Sequence, residues 1–431
     1  VQNRVGLKLV TSRQPVKMFS ILVVSSLFFS CLATRTLKTE ILTDPNCTKP
    51  CRTEIGHIQA TGQDDTLHYL ITDIGIPTIY VLRTNTLSEA NSVVNVDWNK
   101  LTSENTTERS EAITFPKDVQ IFYSYAAMFT RMYEYNDTLD DADITKYNVN
   151  NTAWNVYNFA DFDWDDLSNA SDVNSNVINF MVSSNMSELL GNGTISLKIQ
   201  AFDHGDRENQ LPHLQYTENI VLFDLVISHI STNLSASRFV VEMILYSNST
   251  DNMKIDTTAS IDDEYTPGVF KISNWLSRPS NQAEGCFIQW KPVCYQNIPR
   301  GRNVATYVSY YGPSGLDSNQ DMMKLVNRSI LGAFEESTAM PYKMTATNFS
   351  FGLSKDGGYT LNNYTAWSGS IGFGAPPEEK VSTLVIIIIA VGLGLPVVII
   401  LFGGVGVCVK KQKGKHSKIL VEVTRSYPGL N

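Results

Sequence analysis

Between Val381 and Val409 the chain reads VSTLVIIIIAVGLGLPVVIILFGGVGVCV, a run without one charged side chain. A helix needs about 20 apolar residues to cross roughly 30 Å of hydrocarbon, and inside lipid each backbone amide must be bonded within its own segment. The run therefore predicts a membrane-spanning helix over 381–409 and assigns the rest of the chain to two compartments. Lys410, Lys411, Lys413, Lys415 and Lys418 follow it, while Glu378 and Glu379 precede it. Basic flanks stay on the cytosolic side, so the expectation is a single-pass type I protein with a lumenal N-terminal region and a cytosolic tail, residues 410–431. Gly392, Gly394, Pro396, Gly403, Gly404 and Gly406 interrupt the span. A close-packed partner helix and ordinary glycine enrichment account for them equally well.

A second apolar stretch, MFSILVVSSLFFSCLA from Met18, follows Lys17 and ends in small residues. Its length is that of a secretory signal, short for a membrane anchor. Residues 1–33 are assigned to upstream sequence and signal peptide, with residues 1–17, which open on Val1, expected to precede the translated start. The totals of 34 basic and 43 acidic residues hide an asymmetry. Leaving out the four basic residues of the leader and the six basic and one acidic of the tail, the middle keeps 24 basic against 42 acidic, near −18. Such a surface repels phosphate backbones, which excludes nucleic acid as a partner.

Asn-x-Ser/Thr sequons stand at Asn46, Asn105, Asn136, Asn150, Asn169, Asn185, Asn192, Asn233, Asn248, Asn327, Asn348 and Asn363, all between signal and span. This is the compartment where oligosaccharide is transferred, so most are expected to carry sugar; Asn46, with Cys47 at its middle position, is the least favoured. Of the six cysteines, Cys31 falls in the signal and Cys408 at the cytosolic membrane edge, where an inert thiol is expected over palmitoylation. Cys47, Cys51, Cys286 and Cys294 remain in an oxidising lumen, where four cysteines allow three pairings. The expected pairs are Cys47 with Cys51 and Cys286 with Cys294. A zinc site is not expected, because the spacing lacks paired C-x-x-C and histidine is scarce nearby.

The stretch TISLKIQAF alternates Ile195, Leu197 and Ile199 with polar neighbours, and HYLITDIGIPTIYVL, NIVLFDLVISHI and RFVVEMILYS are β-branched runs bounded by turn residues. Outside the membrane only 319–334, with Met322, Leu325, Val326 and Ile330 at helical spacing, predicts a substantial helix. The fold class expected is all-β, a β-rich sandwich over 34–371 with a boundary near 190 as one way to divide it, followed by a linker at 372–380 and the C-terminal transmembrane helix.

No nucleophile elbow, H-E-x-x-H or phosphate-cradling loop is present. DFDWDD, residues 161–166, has the alternate spacing of a calcium loop but Asp166 where the turn needs glycine; a turn with Phe162 and Trp164 tucked inward is the preferred reading. Asp262, Asp263 and Glu264 in SIDDEYTPGVF are the candidates for carboxylate chemistry. On a strand Asp262 and Glu264 share a face, which permits a hydrolase, but an acidic corner that serves the fold is expected. No metal or cofactor is predicted.

Six stretches carry a resemblance: TLHY (66–69), FPKDVQIFYSYAAMFTRMYEYNDT (115–138), NGTISLKIQAF (192–202), SIDDEYTPGVF (260–270), QWKPVCY (289–295) and the terminal YPGLN. Together, and in this order, they resemble the glycosylated lysosomal membrane protein family. The resemblance implies a non-enzymatic accessory subunit that binds a lysosomal major-facilitator dipeptide transporter, protects it from lysosomal proteases and supports its lysosomal localisation. A lumenal hydrolase using Asp262 or Glu264, and a purely structural membrane glycoprotein, are the rival expectations. Tyr427 and Leu430 form a Y-x-x-Φ sorting signal in the tail, an extended tetrapeptide for two pockets of a clathrin adaptor. Tyr427→Ala is expected to move the protein from lysosomes to the cell surface, as surface biotinylation would report; unchanged lysosomal staining would contradict the assignment.

Overall fold

A computed structural model of the chain describes residues 35–47, 53–85, 94–147, 153–183, 191–249, 251–259, 269, 271–278, 284–316, 320–334, 342–378 and 383–425. The chain forms two compact units, Val1–Thr258 with Lys271–Pro377, and Ala259–Phe270 with Glu378–Asn431. The expected signal, Cys51, Asn150, Asn185, Asp262, Asp263, Glu264, Tyr427 and Leu430 lie outside the described residues.

The first unit is built from antiparallel strands in two layers. In one sheet the order of neighbours is Thr36–Thr43, Glu54–Thr61, Asp65–Thr72, Thr78–Asn85, Ile121–Asn136, Ser237–Ser247, Lys343–Phe351 and Ala305–Gly315. The long Ile121–Asn136 strand also pairs through its second half with Trp154–Asn158. The other sheet runs Val177–Ser183, Thr194–Ala201, Ile220–Ser228 and Tyr364–Phe373, whose far edge takes Cys286–Trp290 and then Val293–Tyr295. Lys271–Ser277 lies outside Cys286–Trp290. Ala305–Gly315 joins the layers, pairing first with Val293–Tyr295 and then with Lys343–Phe351. The strands on either side of residue 190 are hydrogen-bonded neighbours, so the chain does not divide into two units there.

Alternation explains which side chains meet between the layers. Ile195, Leu197, Ile199 and Ala201 point inward while Lys198 is exposed, as a period of two requires. They meet Ile58, Tyr69, Val81, Phe129 and Val241 from the first sheet in the main core. An aromatic seam crosses this core: Trp275 stands edge-on to Trp290 with ring centroids 5.1 Å apart, Trp367 lies 4.6 Å from Phe349, and Phe223 contacts both Trp367 at 5.1 Å and Phe129 at 5.8 Å. Such pairs add about 0.5–1.5 kcal/mol each beyond their buried area.

The first sheet is covered on its outer face as well. Leu70, Tyr80, Leu82, Met128, Ile244 and Tyr246 pack there against Leu101, Ile113, Val326, Ile330, Leu331 and Phe334. For this reason Asp65–Thr72 and Ser237–Ser247 are buried throughout rather than alternately. The expected helix over 319–334 is helical as Gln320–Arg328. Ser329 then turns the chain: its hydroxyl accepts from the Leu331 N–H at 3.3 Å and opens a 3-10 turn, Ile330–Ala333. In DFDWDD, Trp164 is buried and Phe162 packs against the core, the turn that was expected.

The expected Cys286–Cys294 bridge is absent, and both are buried free thiols. Cys286 sits opposite Phe373 and Cys294 opposite Trp367 on the same strand. Six residues of strand separate them by about 20 Å, three times the reach of a disulfide. Cys47 is disulfide-bonded, with a partner outside the described residues.

In the second unit one helix, Thr383–Arg425, continues past Val409 through the lysine-rich stretch. Its portion Ile386–Lys413 is long and apolar enough to cross a membrane. Pro396 lies inside it and leaves the Gly392 carbonyl without its helical donor.

Gly369 sits directly opposite Phe223 on the neighbouring strand, and a Cβ there would come within 2.5 Å of the Phe223 ring and 3.0 Å of the Gln289 carbonyl. Gly369→Ala is expected to destabilise the β unit by about 1–3 kcal/mol in denaturant unfolding followed by tryptophan fluorescence. Gly205→Ala, whose Cβ would meet nothing closer than 3.5 Å, should stay within about 0.5 kcal/mol of wild type.

Candidate functional site

Asp262, Asp263 and Glu264 fall outside the described residues, so no geometry brings them to or from a reaction centre. Among the described residues no group of three His, Cys, Asp or Glu side chains is placed to hold a metal ion. Asp137, Asp356, Glu134 and Asp224, all at least partly enclosed, meet positively charged or hydrogen-bond-donating partners.

Arg238 is the largest of these assemblies. Its guanidinium, 1% exposed, bonds Asp137 through Nε, Asp140 through Nη2, and Asp356 Oδ1 at 2.6 Å, and also donates to the Leu353 carbonyl at 3.0 Å. Asp137 accepts further from Tyr147 Oη and from the N–H groups of Asp141 and Ala142 at 3.0 and 2.9 Å. Asp356 accepts from Thr306 Oγ1, Leu353 N and Gly358 N at 2.5, 2.7 and 2.9 Å. Burial pushes both carboxyls up, but these bonds more than offset it and hold Asp137 and Asp356 below the ordinary value of 3.8. Nearby Glu134, fully buried, is held by Ser237, Asn155 and Tyr157 at 2.7, 2.8 and 2.8 Å and by Thr232.

On the outer face of the second sheet Arg300 grips both oxygens of Asp224 at 2.7 and 2.6 Å, and Ser368 Oγ donates to the same carboxylate at 2.6 Å. Glu208 lies near this pair with one oxygen enclosed and unbonded. Burial, reinforced by the Asp224 charge, raises its carboxyl to about 7. A raised acid beside an ionised one resembles an acid/base pair, but Asp224 is engaged at both oxygens by Arg300 and again by Ser368, the bonding of a structural ion pair.

The sequons give the unit a direction. The chain leaves it after Phe373, at the end where Arg35 Nε donates to Asn219 Oδ1 at 2.6 Å, Phe373 N donates to Asn219 O at 3.1 Å, and Arg83 lies 4.6 Å over the Phe373 ring between Asp65 and Phe122. Gln289 Nε2 pins the departing chain at the Pro377 carbonyl, 2.8 Å away. At the opposite end of the same strand Asn363 is exposed, and its carbonyl accepts from His229 N at 2.7 Å. Asn233 is exposed in the loop beyond His229, and Asn192 is exposed beside Gly193, which touches Ile230. Asn136 is half-buried there, its Oδ1 accepting from Ala236 N at 3.0 Å while Nδ2, the atom that takes the sugar, is left over. Asn46 and Asn169 are exposed near Glu54, the end of its strand far from Thr61 and the exit. Asn105 and Asn327 lie on the layer over the first sheet, tied together where Arg109 Nη2 donates to Arg328 O. Asn348 is mid-strand. Among the described residues only Asn248, bonded to Ser124 O at 3.0 Å, is at the exit end.

Several stretches singled out in the sequence are structural. QWKPVCY is the bend between two strands: Trp290 is fully buried, Lys291 Nζ is buried against the Pro212 carbonyl at 3.3 Å, and Val293 N closes on Lys291 O at 2.7 Å. TLHY contributes Tyr69, whose hydroxyl donates to Asn219 O at 2.7 Å, and His68, which faces His57. The Arg238 assembly was missed in the sequence. Its members lie about a hundred residues apart and share no local motif.

Comparison with known proteins agrees with the stretches quoted above. A family model described as glycosylated lysosomal membrane protein matches residues 54–414. The glycosylated lysosomal membrane protein of Danio rerio is 29% identical over 366 residues, covering 83% of this chain and 84% of the relative. The Homo sapiens protein of that name is 29% identical over 398 residues, covering 89% and 91%.

Arg238→Met is expected to cost about 3–5 kcal/mol of folding stability, since Asp137 and Asp356 would be left enclosed without their cation; denaturant unfolding measures it. Glu208 predicts a pH effect. Its folded value of about 7 lies above the ordinary 4.5, so its contribution is full below the lower value and is lost as pH rises through the upper one. Glu208→Gln should therefore raise the unfolding midpoint relative to wild type at neutral pH and leave it nearly unchanged near pH 4.5, whereas a constant difference would contradict the assignment.

Proposed function

Because the chain belongs to the glycosylated lysosomal membrane protein family and has one C-terminal helix fit to span a membrane, we propose that it is a type I subunit whose β unit faces the lysosomal lumen. Its role in this reading is non-enzymatic: it binds a multispan major-facilitator dipeptide transporter, shields it from lysosomal proteases and helps keep it in lysosomes. Transport chemistry then belongs to the partner, and sorting belongs to Tyr427 and Leu430.

The observation that supports this reading is the uneven placement of sequons. Sugar can attach at Asn46, Asn136, Asn169, Asn192, Asn233 and Asn363, away from the exit, while the described exit end offers Asn248 alone. A protease must seat an extended stretch of backbone in its cleft, and branched sugars deny it that approach. A partner in the membrane needs the reverse, a protein surface free of sugar near the place where the chain departs. The Arg35–Asp65–Arg83 cluster, with Phe122 41% exposed beside it, supplies such a surface, and an Arg with an aromatic ring is a frequent interface anchor.

The test adds one sugar. Asp64 is exposed in the hairpin at this end and is followed by Asp65 and Thr66, so Asp64→Asn creates a sequon there. If the reading holds, a multispan transporter co-purifies with wild type in near-equal amount, its half-life falls when this protein is removed, and Asp64→Asn abolishes the association once glycosylated. Enzymatic removal of the sugar before mixing should restore it. Recovery of no stoichiometric partner from wild type would overturn the subunit reading, and association undisturbed by the added sugar would overturn the exit end as its surface.

A further inference from the structure

Two histidines with no part in that reading face each other inside the first sheet. His57 is on Glu54–Thr61 and His68 on Asp65–Thr72, both on the face turned away from the second sheet together with Ile55 and Leu70. The rings are nearly parallel, 11° apart with centroids at 5.3 Å, and His57 Nε2 is 3.0 Å from His68 Nδ1. Neither residue is more than 1% exposed. At one end His57 Nδ1 lies 3.2 Å from Glu40 Oε1, and at the other His68 Nε2 lies 3.2 Å from Thr84 Oγ1. The Thr84 hydroxyl is itself 3.2 Å from Asn85 O and 3.4 Å from Thr66 O. Phe115 closes the site edge-on to His68, with centroids 4.9 Å apart.

This row has two fully bonded arrangements. With both rings neutral, the Glu40 carboxylate requires a proton on His57 Nδ1. His57 Nε2 then accepts from His68 Nδ1–H, and His68 Nε2 accepts from the Thr84 hydroxyl. After one proton is added, His57 carries N–H on both nitrogens and donates from Nε2 to His68 Nδ1. His68 then holds its proton on Nε2 and donates to Thr84 Oγ1, whose own proton turns to Asn85 O or Thr66 O. Every bond in the row reverses except the one to Glu40, and no polar atom loses a partner. A second proton would set two N–H groups against each other at 3.0 Å and two cations in contact, a state without an acceptor between them.

We propose that His57 and His68 form a buried site for a single proton, with Glu40 as its counterion, that senses the pH of the compartment and latches the edge strand Thr36–Thr43 to the sheet. The other charges around it are accounted for. Lys38 on that strand bonds Glu40 Oε2 at 2.9 Å, and Asp65, Arg35 and Arg83 form their own cluster on the opposite face. In the cover, Lys100 pairs with Glu111, Asp97 caps its helix, and Lys117 and Asp118 are exposed. Phe115 and Phe334 bring no charge.

Burial, and then the neighbouring His57 charge, hold His68 well below its ordinary value of 6.5. The hydrogen bond from His57, against the opposing effect of burial, takes Glu40 down to about 2. The row's geometry has room for one added proton, because a second would set two N–H groups against each other at 3.0 Å. The His68 contribution to stability is full above its ordinary value and is lost as pH falls below it.

The test uses the purified full-length protein and follows exchange of each imidazole C2–H by mass spectrometry from about pH 4.5 to 8, which reports each histidine's titration around its reference value. In wild type one ring of the pair should titrate and the other remain neutral. In Glu40→Gln, which keeps an acceptor but removes the counterion, the proton should be held about tenfold or more weakly, a midpoint lower by about one pH unit or more. Two rings titrating independently, or an unchanged midpoint in Glu40→Gln, would overturn the site. Denaturant unfolding gives a second readout: below about pH 6.5 the folding equilibrium of wild type should fall about tenfold per pH unit relative to His68→Gln. Parallel profiles would equally overturn it.

Discussion

Trp367 is the side chain on which the two layers of the β unit depend. It lies on Tyr364–Phe373, buried along all of its length, and touches Phe223, Phe349 and Phe351 from both sheets. The same strand pairs with Ile220–Ser228 on one edge and with two short strands on the other, and it then carries the chain out at Pro377. Core, sheet order and point of departure therefore share one element. Small residues around Trp367 make the packing possible: Gly369 receives the Phe223 ring and Gly372 lies against Ile220. Tightly packed interiors transmit such constraints because there is no slack to absorb a displaced ring.

Charge buried within this frame is arranged by sign. An acidic lumen threatens a fold mainly by protonating carboxylates that are bonded in the native state. The Asp137 and Asp356 carboxyls, held below 3.8 by Arg238 and its donors, keep their contribution until pH falls through that lower range. Glu208 acts in the other direction, favouring the fold as pH falls from about 7 toward 4.5. His68 opposes it below 6.5. The unit thus combines one ionic lock insensitive to mild acid with two buried groups, Glu208 and His68, whose contributions change in opposite directions as pH falls.

Much of this was legible in the residues, and what was not had a physical reason. Period-two alternation located Thr194–Ala201, the uncharged run located the apolar helix that is long enough to span a membrane, and helical spacing located Gln320–Arg328. The boundary considered near residue 190 failed because a hairpin and a domain linker share the same turn residues, and only pairing distinguishes them. Cys286 and Cys294 looked like a short loop to be bridged. Eight positions along a chain say nothing about separation when a strand and a bend intervene, and both cysteines lie against one partner strand six residues apart. Arg238 and its three aspartates are legible only in three dimensions. His57 and His68 lay in plain view as single histidines in apolar strands, but their contact follows from the register of the hairpin, in which His68 sits opposite Gln59.

The sequons are visible in the sequence as a set but not as a pattern, because their placement belongs to the fold. Antiparallel strands return the chain to the same end at every second turn, and the turns that carry Asn46, Asn136, Asn192, Asn233 and Asn363 all close on the side away from Phe373. Among the described residues the exit side carries Arg35, Asp65, Arg83 and Asn219, bonded to one another and to backbone, beside the single sequon Asn248. Sugar at those positions would have to displace an ion cluster that also fixes the departing strand through Phe373 and Asn219. The contacts that anchor the exit thus fix the backbone there and, among the described residues, leave Asn248 as that end's one sequon; a surface already held rigid loses less conformational freedom when another protein binds it.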